Sequence, residues 1–401
     1  MTSTTPPAAG AVRRMASRNR DEEHRAATPL ELFFDLCFVV AVAQAGARLV
    51  HALAEGHVAT GLLGYTLVFF AIWWAWMNFT WFASAYDTDD ALYRVVTLVQ
   101  IAGVLVMAAG IPQAFDDNNW TVCVIGYVVM RLALTSQWLR AAHATTGPER
   151  RTARLYAAGV TVCQLLWIGV LFVPDGVRVW CFLAVALAEL SVPALAESGY
   201  KTSWHPHHIV ERYGLLTIIV LGESVAAATV AVQEGFTEHD GLAHLLPIAG
   251  GGLLLVFAAW WIYFAAPVAD RLTSMRASLT WGYGHLLIFG SAAAIGAGLE
   301  VAVEQSIGKA HISTLAASAA VTVPAALYLL TVWLLHSRHS KRGTAQQLVL
   351  PVSALAVLAC TFAGQWAVLA AGLVAALTVA LGVTLSARDP ASRQGPGAQL
   401  P

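Results

Sequence analysis

The sequence predicts an all-α polytopic membrane protein of about twelve transmembrane helices, arranged as two parallel six-helix repeats. Three observations lead there. Of 401 residues, 58% are hydrophobic and only 12% charged, whereas an ordinary soluble domain is about 25% charged. The apolar residues come in runs of about twenty, long enough to cross a hydrocarbon core of roughly 30 Å. The positive charges fall on one side of the alternating topology that these runs define.

Residues 1–28 are rich in Pro, Ala, Ser and Arg and lack a short apolar core. They read as a disordered cytoplasmic tail and not as a cleavable signal peptide. Twelve spans are expected at about 30–53, 58–84, 92–112, 118–140, 152–173, 177–197, 208–232, 243–266, 279–301, 312–336, 345–363 and 365–386. The last two are separated only near Gly364 and Gln365, so the same pattern also admits eleven or ten. The first repeat is placed at 29–206, the second at 207–386, and a cytoplasmic tail at 387–401.

Charge placement supports that topology. With the N-terminus inside, Arg48, Arg178 and Lys309 lie outside and Arg131 lies within a span; the other 19 of the 23 Lys and Arg residues lie inside. Both termini are therefore expected in the cytoplasm.

The repeat rests on pairings in order. A shift of 180 residues puts Glu31 on Glu211, Phe33 on Tyr213, Leu36 on Leu216 and Val40 on Val220, and a shift of 182 puts Trp81 on Tyr263 and Arg94 on Arg276. Six spans per half give both halves the same orientation. The first and seventh spans would then face each other near the axis.

Ionisable groups within apolar helices are costly and mark candidate sites. In the first span Glu31 and Asp35 are four residues apart, which stacks them on one helix face. Glu223 lies past the middle of the seventh span, Arg131 near the middle of the fourth and Glu189 in the inner half of the sixth. Arg131 is expected to pair with a carboxylate, with Glu223 or Asp35 the favoured partner. Glu31 and Glu211 sit near the inner interface, where capping a first turn competes with a functional role.

The stretch His205-Pro206-His207-His208 with Glu211 is a weak metal-ligand candidate through His207, His208 and Glu211; a proton-sensing loop and a plain interfacial loop are the alternatives. His285, Glu300, Gln44, Asn78, Gln100, Gln137 and Gln164 are expected as interhelical hydrogen-bond partners. The aromatic clusters around Trp73–Phe82 and Trp260–Phe264 read as helix packing and an interfacial belt.

All five cysteines are isolated within apolar runs, so neither a disulfide framework nor a thiolate metal site is indicated. The formal net charge of −1 says nothing about nucleic acid, but no basic stripe or zinc-finger spacing is present and no nucleic-acid partner is expected. No cofactor is implied. The expected partners are the lipid bilayer and a cation or small-molecule substrate.

Two motifs, Pro29-Leu-Glu-Leu-Phe-Phe-Asp35 and His208-Ile-Val-Glu-Arg-Tyr-Gly-Leu-Leu-Thr-Ile-Ile-Val-Leu-Gly-Glu-Ser224, resemble the bacterial low-temperature-requirement protein A (LtrA) family. The resemblance implies a multi-pass protein of the bacterial inner membrane, linked by family name to growth in the cold. It implies no established biochemical activity. Locally, Leu30-Glu31-x-Phe33-x-Asp35-x-x-Phe38 is similar to the Phe-Ser-Asp signature of an endolysosomal and bacterial potassium-channel family. Phe34 replaces the Ser here, Pro29 stands where that family has Arg, and the second half lacks the signature.

The leading expectation is a channel or transporter whose pathway runs between the first and seventh spans, with Asp35 and Glu223 as charged lining. The alternatives are a membrane-embedded enzyme or lipid-handling protein acting through His207, His208 and Glu211, and a structural membrane protein without flux. No nucleotide-binding loop, Ser nucleophile motif or His-Glu-x-x-His supports the enzyme.

Overall fold

In the computed structural model the described residues are 12–19, 22, 25–238, 242–341 and 343–388. Among them the regular structure is helical, without strands. The helices are α1 (Pro29–Ala54), α2 (Val58–Tyr86), α3 (Ala91–Asp116), α4 (Thr121–Ala144), α5 (Gly147–Val170), α6 (Asp175–Ala196), α7 (Pro206–Glu238), α8 (Leu242–Phe264), α9 (Met275–Ser306) and α10 (Thr314–Val332). A π-turn at Trp333–Ser337 then leads into the short α11 (Arg338–Ser340), followed by α12 (Thr344–Ala359) and α13 (Ala367–Ala387).

Ten helical stretches among the described residues are long and apolar enough to cross a membrane. The last two expected spans fall within one such stretch, Thr344–Ala387, which is broken at Gly364 (φ 60°, ψ −133°). Only glycine adopts that conformation without a steric penalty. The expected seventh span lies in α7, which is not one of the ten.

The chain divides into two compact units. Unit 1 comprises Met1–Gln44 and Phe70–Tyr213, and unit 2 comprises Ala45–Phe69 and Gly214–Pro401. In unit 1, α3 packs on α4, α4 on α5, and α5 on α6. Small residues let α3 and α4 approach closely: a Cβ on Gly126 would collide with the backbone of Met107 and Gly103. Such contacts drive helix association where lipid is as apolar as the side chains. Trp73, Trp74, Trp76, Phe79 and Phe82 on α2 are fully buried, so this aromatic run is core.

In unit 2, α9 packs on α10, α8 on α13, and α10 and α13 on α12. Gly251 of α8 and Gly372 of α13 face each other too closely to admit a Cβ. Unlike the aromatics of α2, Trp260 and Trp261 of α8 are about half-exposed.

The expectation of a disordered tail over 1–28 is corrected for its described residues. Met15 and Arg25 are buried, and Arg25 bonds to main-chain carbonyls of α2. Arginines there bond carbonyls of the last helical turn, which composition alone does not reveal. The rest of that tail, and 389–401 of the C-terminal one, lie outside the described residues.

Candidate functional site

The site begins at the first turn of α1. Thr28 precedes it, Pro29 opens it and Glu31 is three residues on, which is the capping-box pattern with Pro at the first helical position. The main-chain N–H and the hydroxyl of Thr28 donate to Glu31 Oε2 at 2.8 and 3.0 Å, and the Glu31 N–H donates back to Thr28 Oγ1 at 3.3 Å. One carboxylate oxygen of Glu31 thus caps the helix. The other, Oε1, faces α7.

On α7, His208 and Arg212 stand four apart, matching the spacing of Glu31 and Asp35. The two faces meet within unit 1. Arg212 donates to both oxygens of Asp35, Nη2 to Oδ1 at 2.6 Å and Nε to Oδ2 at 3.1 Å, while its Nη1 lies 2.8 Å from Glu31 Oε1. Trp76 Nε1–H of α2 donates to Asp35 Oδ1 at 2.7 Å. His208 Nε2 is 3.2 Å from Glu31 Oε1, at ion-pair distance. Glu31, Asp35, His208 and Arg212 are all 0% exposed. A two-pronged Arg–carboxylate pair is the strongest arrangement such groups have, and burial removes the competing water.

A second cation and a third acid complete the cluster. Arg25 lies 3.9 Å from Glu31 and 3.5 Å from Asp87, which directly follows α2. Burial and the nearby Glu31 carboxylate push Asp87 up to about 6, against the pull of Arg25 and Arg18. Arg18 reaches Asp87 at 3.8 Å from a partly exposed position, while pairing with Glu22 at 2.8 Å.

Arg131 has a different partner from those expected. Asp35 is held by Arg212, and Arg131 pairs with Glu189, Nη2 to Oε1 at 3.4 Å. Tyr127 OH donates to Glu189 Oε2 at 2.6 Å and Gln164 Nε2 to Oε1 at 3.1 Å. This second polar centre joins α4, α5 and α6. The pairing follows from packing, since α4–α5 and α5–α6 neighbour each other directly and bring the four side chains together.

His207, His208 and Glu211 do not assemble as a metal site. His208 turns to Glu31, Glu211 accepts from the Ala27 N–H at 3.3 Å, and His207 is exposed. No group of three or more potential metal ligands occurs among the described residues. The physical reason is helical phase: adjacent residues 207 and 208 point about 100° apart, so one faces α1 while the other faces outward.

Glu223 is half-buried on the unit 2 part of α7. Its neighbour Ser224 donates to Val220 O at 3.1 Å and Ala292 O at 3.0 Å, tying α7 to α9. Ser224 and Val225 also line a mostly apolar cavity of about 230 Å³ bounded by Gly252 of α8 and Leu299 of α9. Elsewhere in unit 2, His285 donates from Nδ1 to Trp281 O at 2.7 Å, so its Nε2 accepts from the Tyr263 hydroxyl at 3.1 Å. His285 is thus the interhelical partner its position suggested.

Sequence reasoning missed Arg212, Trp76, Arg25 and Asp87. For Arg212 a signal was present: a His and an Arg four apart at a helix start match two acids four apart at another. Arg25 and Asp87 carried none, because each lies in a polar break.

The description "Bacterial low temperature requirement A protein (LtrA)" matches residues 26–386. The chain is also similar to an uncharacterized protein of Rhizobium meliloti (strain 1021), 27% identical over 290 residues, which cover 68% of each chain. The match to the family takes in α1 through nearly all of α13 and includes every residue of both polar centres except Arg25, one position before its start; the chain belongs to the bacterial low temperature requirement A (LtrA) protein family.

Proposed function

We propose that the protein is a channel or transporter for a cation or small solute in the bacterial inner membrane. In this reading it has twelve spans, in two parallel repeats, with both termini cytoplasmic. The α1–α7 cluster is its charged gate. The observation that carries the reading is a buried cluster of opposite charges whose balance depends on one partly exposed arginine. Three carboxylates with buried side chains, Glu31, Asp35 and Asp87, face two buried guanidiniums, Arg25 and Arg212, and the partly exposed Arg18 lies 3.8 Å from Asp87 as the third cation.

An unpaired charge is not tolerated at such burial. Arg18 supplies the third positive charge, and when it moves away the set takes up another, a proton on Asp87 or a bound cation. A group that must gain and lose one positive charge to stay neutral is what a cation or proton pathway needs. The half-buried Glu223 and the cavity beside it supply a second acid and a space for a solute.

The test is flux of K⁺, Na⁺ and H⁺ into liposomes holding the purified protein. Wild type should pass at least one of them, and Glu223→Gln should slow it while the melting temperature stays nearly unchanged. Liposomes as tight as protein-free ones to all three ions would overturn the cation reading.

A further inference from the structure

The described residues ahead of α1 bind across the ends of four helices of unit 1. At the end of α2, the Arg18 N–H donates to Ala85 O at 2.9 Å, Arg25 Nη2 to Ala83 O at 2.8 Å, and Arg25 Nη1 to Ser84 O. At the end of α4, Arg14 Nε donates to Ala144 O at 2.7 Å. Helix C-termini present carbonyls without intrahelical partners and the negative end of the helix dipole, so arginines suit them.

At the start of α3, the Arg13 N–H donates at 2.7 Å to Asp90, the same carboxylate that caps α3 through Tyr93 N–H. Arg140 of α4 returns a bond to Arg13 O at 2.8 Å. At the start of α7, the Ala27 N–H bonds Glu211, and His205 Nε2 contacts Glu22 O at 2.9 Å. Met15, 0% exposed, is the apolar anchor.

We propose that this segment is an autoinhibitory strap. Docked, it ties together the ends of α2, α3, α4 and α7 and keeps Arg25 over Glu31, so the Glu31–Asp35 centre is shut. Undocked, it takes Arg25 away and lets the α1 and α7 faces part. The inference rests on the transport reading given above. The mode of attachment supports release: the described residues of the strap are held by hydrogen bonds, the ion pairs of Arg18 and Arg25 and one buried methionine, and none of them is helical, so they can leave without unfolding a helix. Segments of that kind occupy the low-stability end of a fold.

The test uses the full chain carrying Arg14→Gln and Met15→Ser. Arg14 bonds Ala144 O at the end of α4 and not the acids of the cluster. Two measurements are made on each protein: hydrogen exchange of the Arg18 amide, and K⁺, Na⁺ and H⁺ flux in liposomes. The strap predicts a protected Arg18 amide in wild type, faster exchange in the variant, and severalfold higher flux of at least one ion. Faster exchange with a wild-type flux that does not change would overturn the strap and leave transport standing. An Arg18 amide unprotected in wild type would also overturn it. No flux of any ion in either protein would sink the transport reading and the strap with it.

Discussion

Arg212 of α7 grips both oxygens of Asp35 of α1, at 2.6 and 3.1 Å, and also reaches Glu31 at 2.8 Å. Two helix starts about 180 residues apart in sequence are thereby joined by one guanidinium.

That linkage sets the outcome of neutralising either partner. Arg212→Met strands the buried Asp35 carboxylate and takes from Glu31 its nearest cation, and should cost on the order of 3–5 kcal/mol, as breaking a buried pair does. Asp35→Asn leaves Arg212 only part of its compensation and should also destabilise. The double variant Asp35→Asn, Arg212→Met should recover part of the summed loss, because the desolvation cost of both ions goes with them. Thermal denaturation of the four proteins in detergent micelles gives the coupling term, and strict additivity would contradict the pairing.

The centre in α4, α5 and α6 behaves in the same way with a different partner. Arg131→Leu should be strongly destabilising because it leaves Glu189 charged and buried, and adding Glu189→Gln should restore part of the loss. Gln164 and Tyr127 still bond the amide that replaces the carboxylate, so the residual defect should be small. The same melting series reads this cycle, and equal losses in the single and double variants would refute it.

Asp87 gives a pH dependence whose sign follows from its surroundings. The groups facing it are Arg25, Arg18, Glu31, Asp89 and Tyr93. Its folded value is raised from 3.8 to about 6, so the folded state holds the proton more tightly than the unfolded chain. The resulting stability is fully present below pH 3.8 and is lost as pH rises through about 6. Asp87→Asn should flatten that segment of the stability profile. Melting temperatures at pH 4.5 and 7.0 check it: the fall from the lower to the higher pH should shrink in the variant.

Much of the architecture was legible in the chain. Apolar runs become helices because a helix satisfies its own backbone hydrogen bonds inside one segment, and nothing distant is needed. The stacking of Glu31 on Asp35 was legible for the same reason, since four residues make about one helical turn. Arg212 was seen but read as an ordinary inner-side charge, because the positive-inside pattern explains any Arg at a helix end equally well. Arg25 and Met15 belong to a stretch whose composition matches that of disordered tails, and no local rule separates the two.

What the sequence determined by itself is therefore local: helices where the apolar runs stand, a capped start to α1, and acids too costly to be incidental. What the tertiary structure alone decided is pairing. Arg131 goes to Glu189, Arg212 to Asp35 and Glu31, and the arginines before α1 to the carbonyl ends of α2 and α4. The physical reason is that a buried charge takes the nearest opposite charge in space, and nearness between helices is set by how their small and large residues pack, over separations that no short-range pattern records.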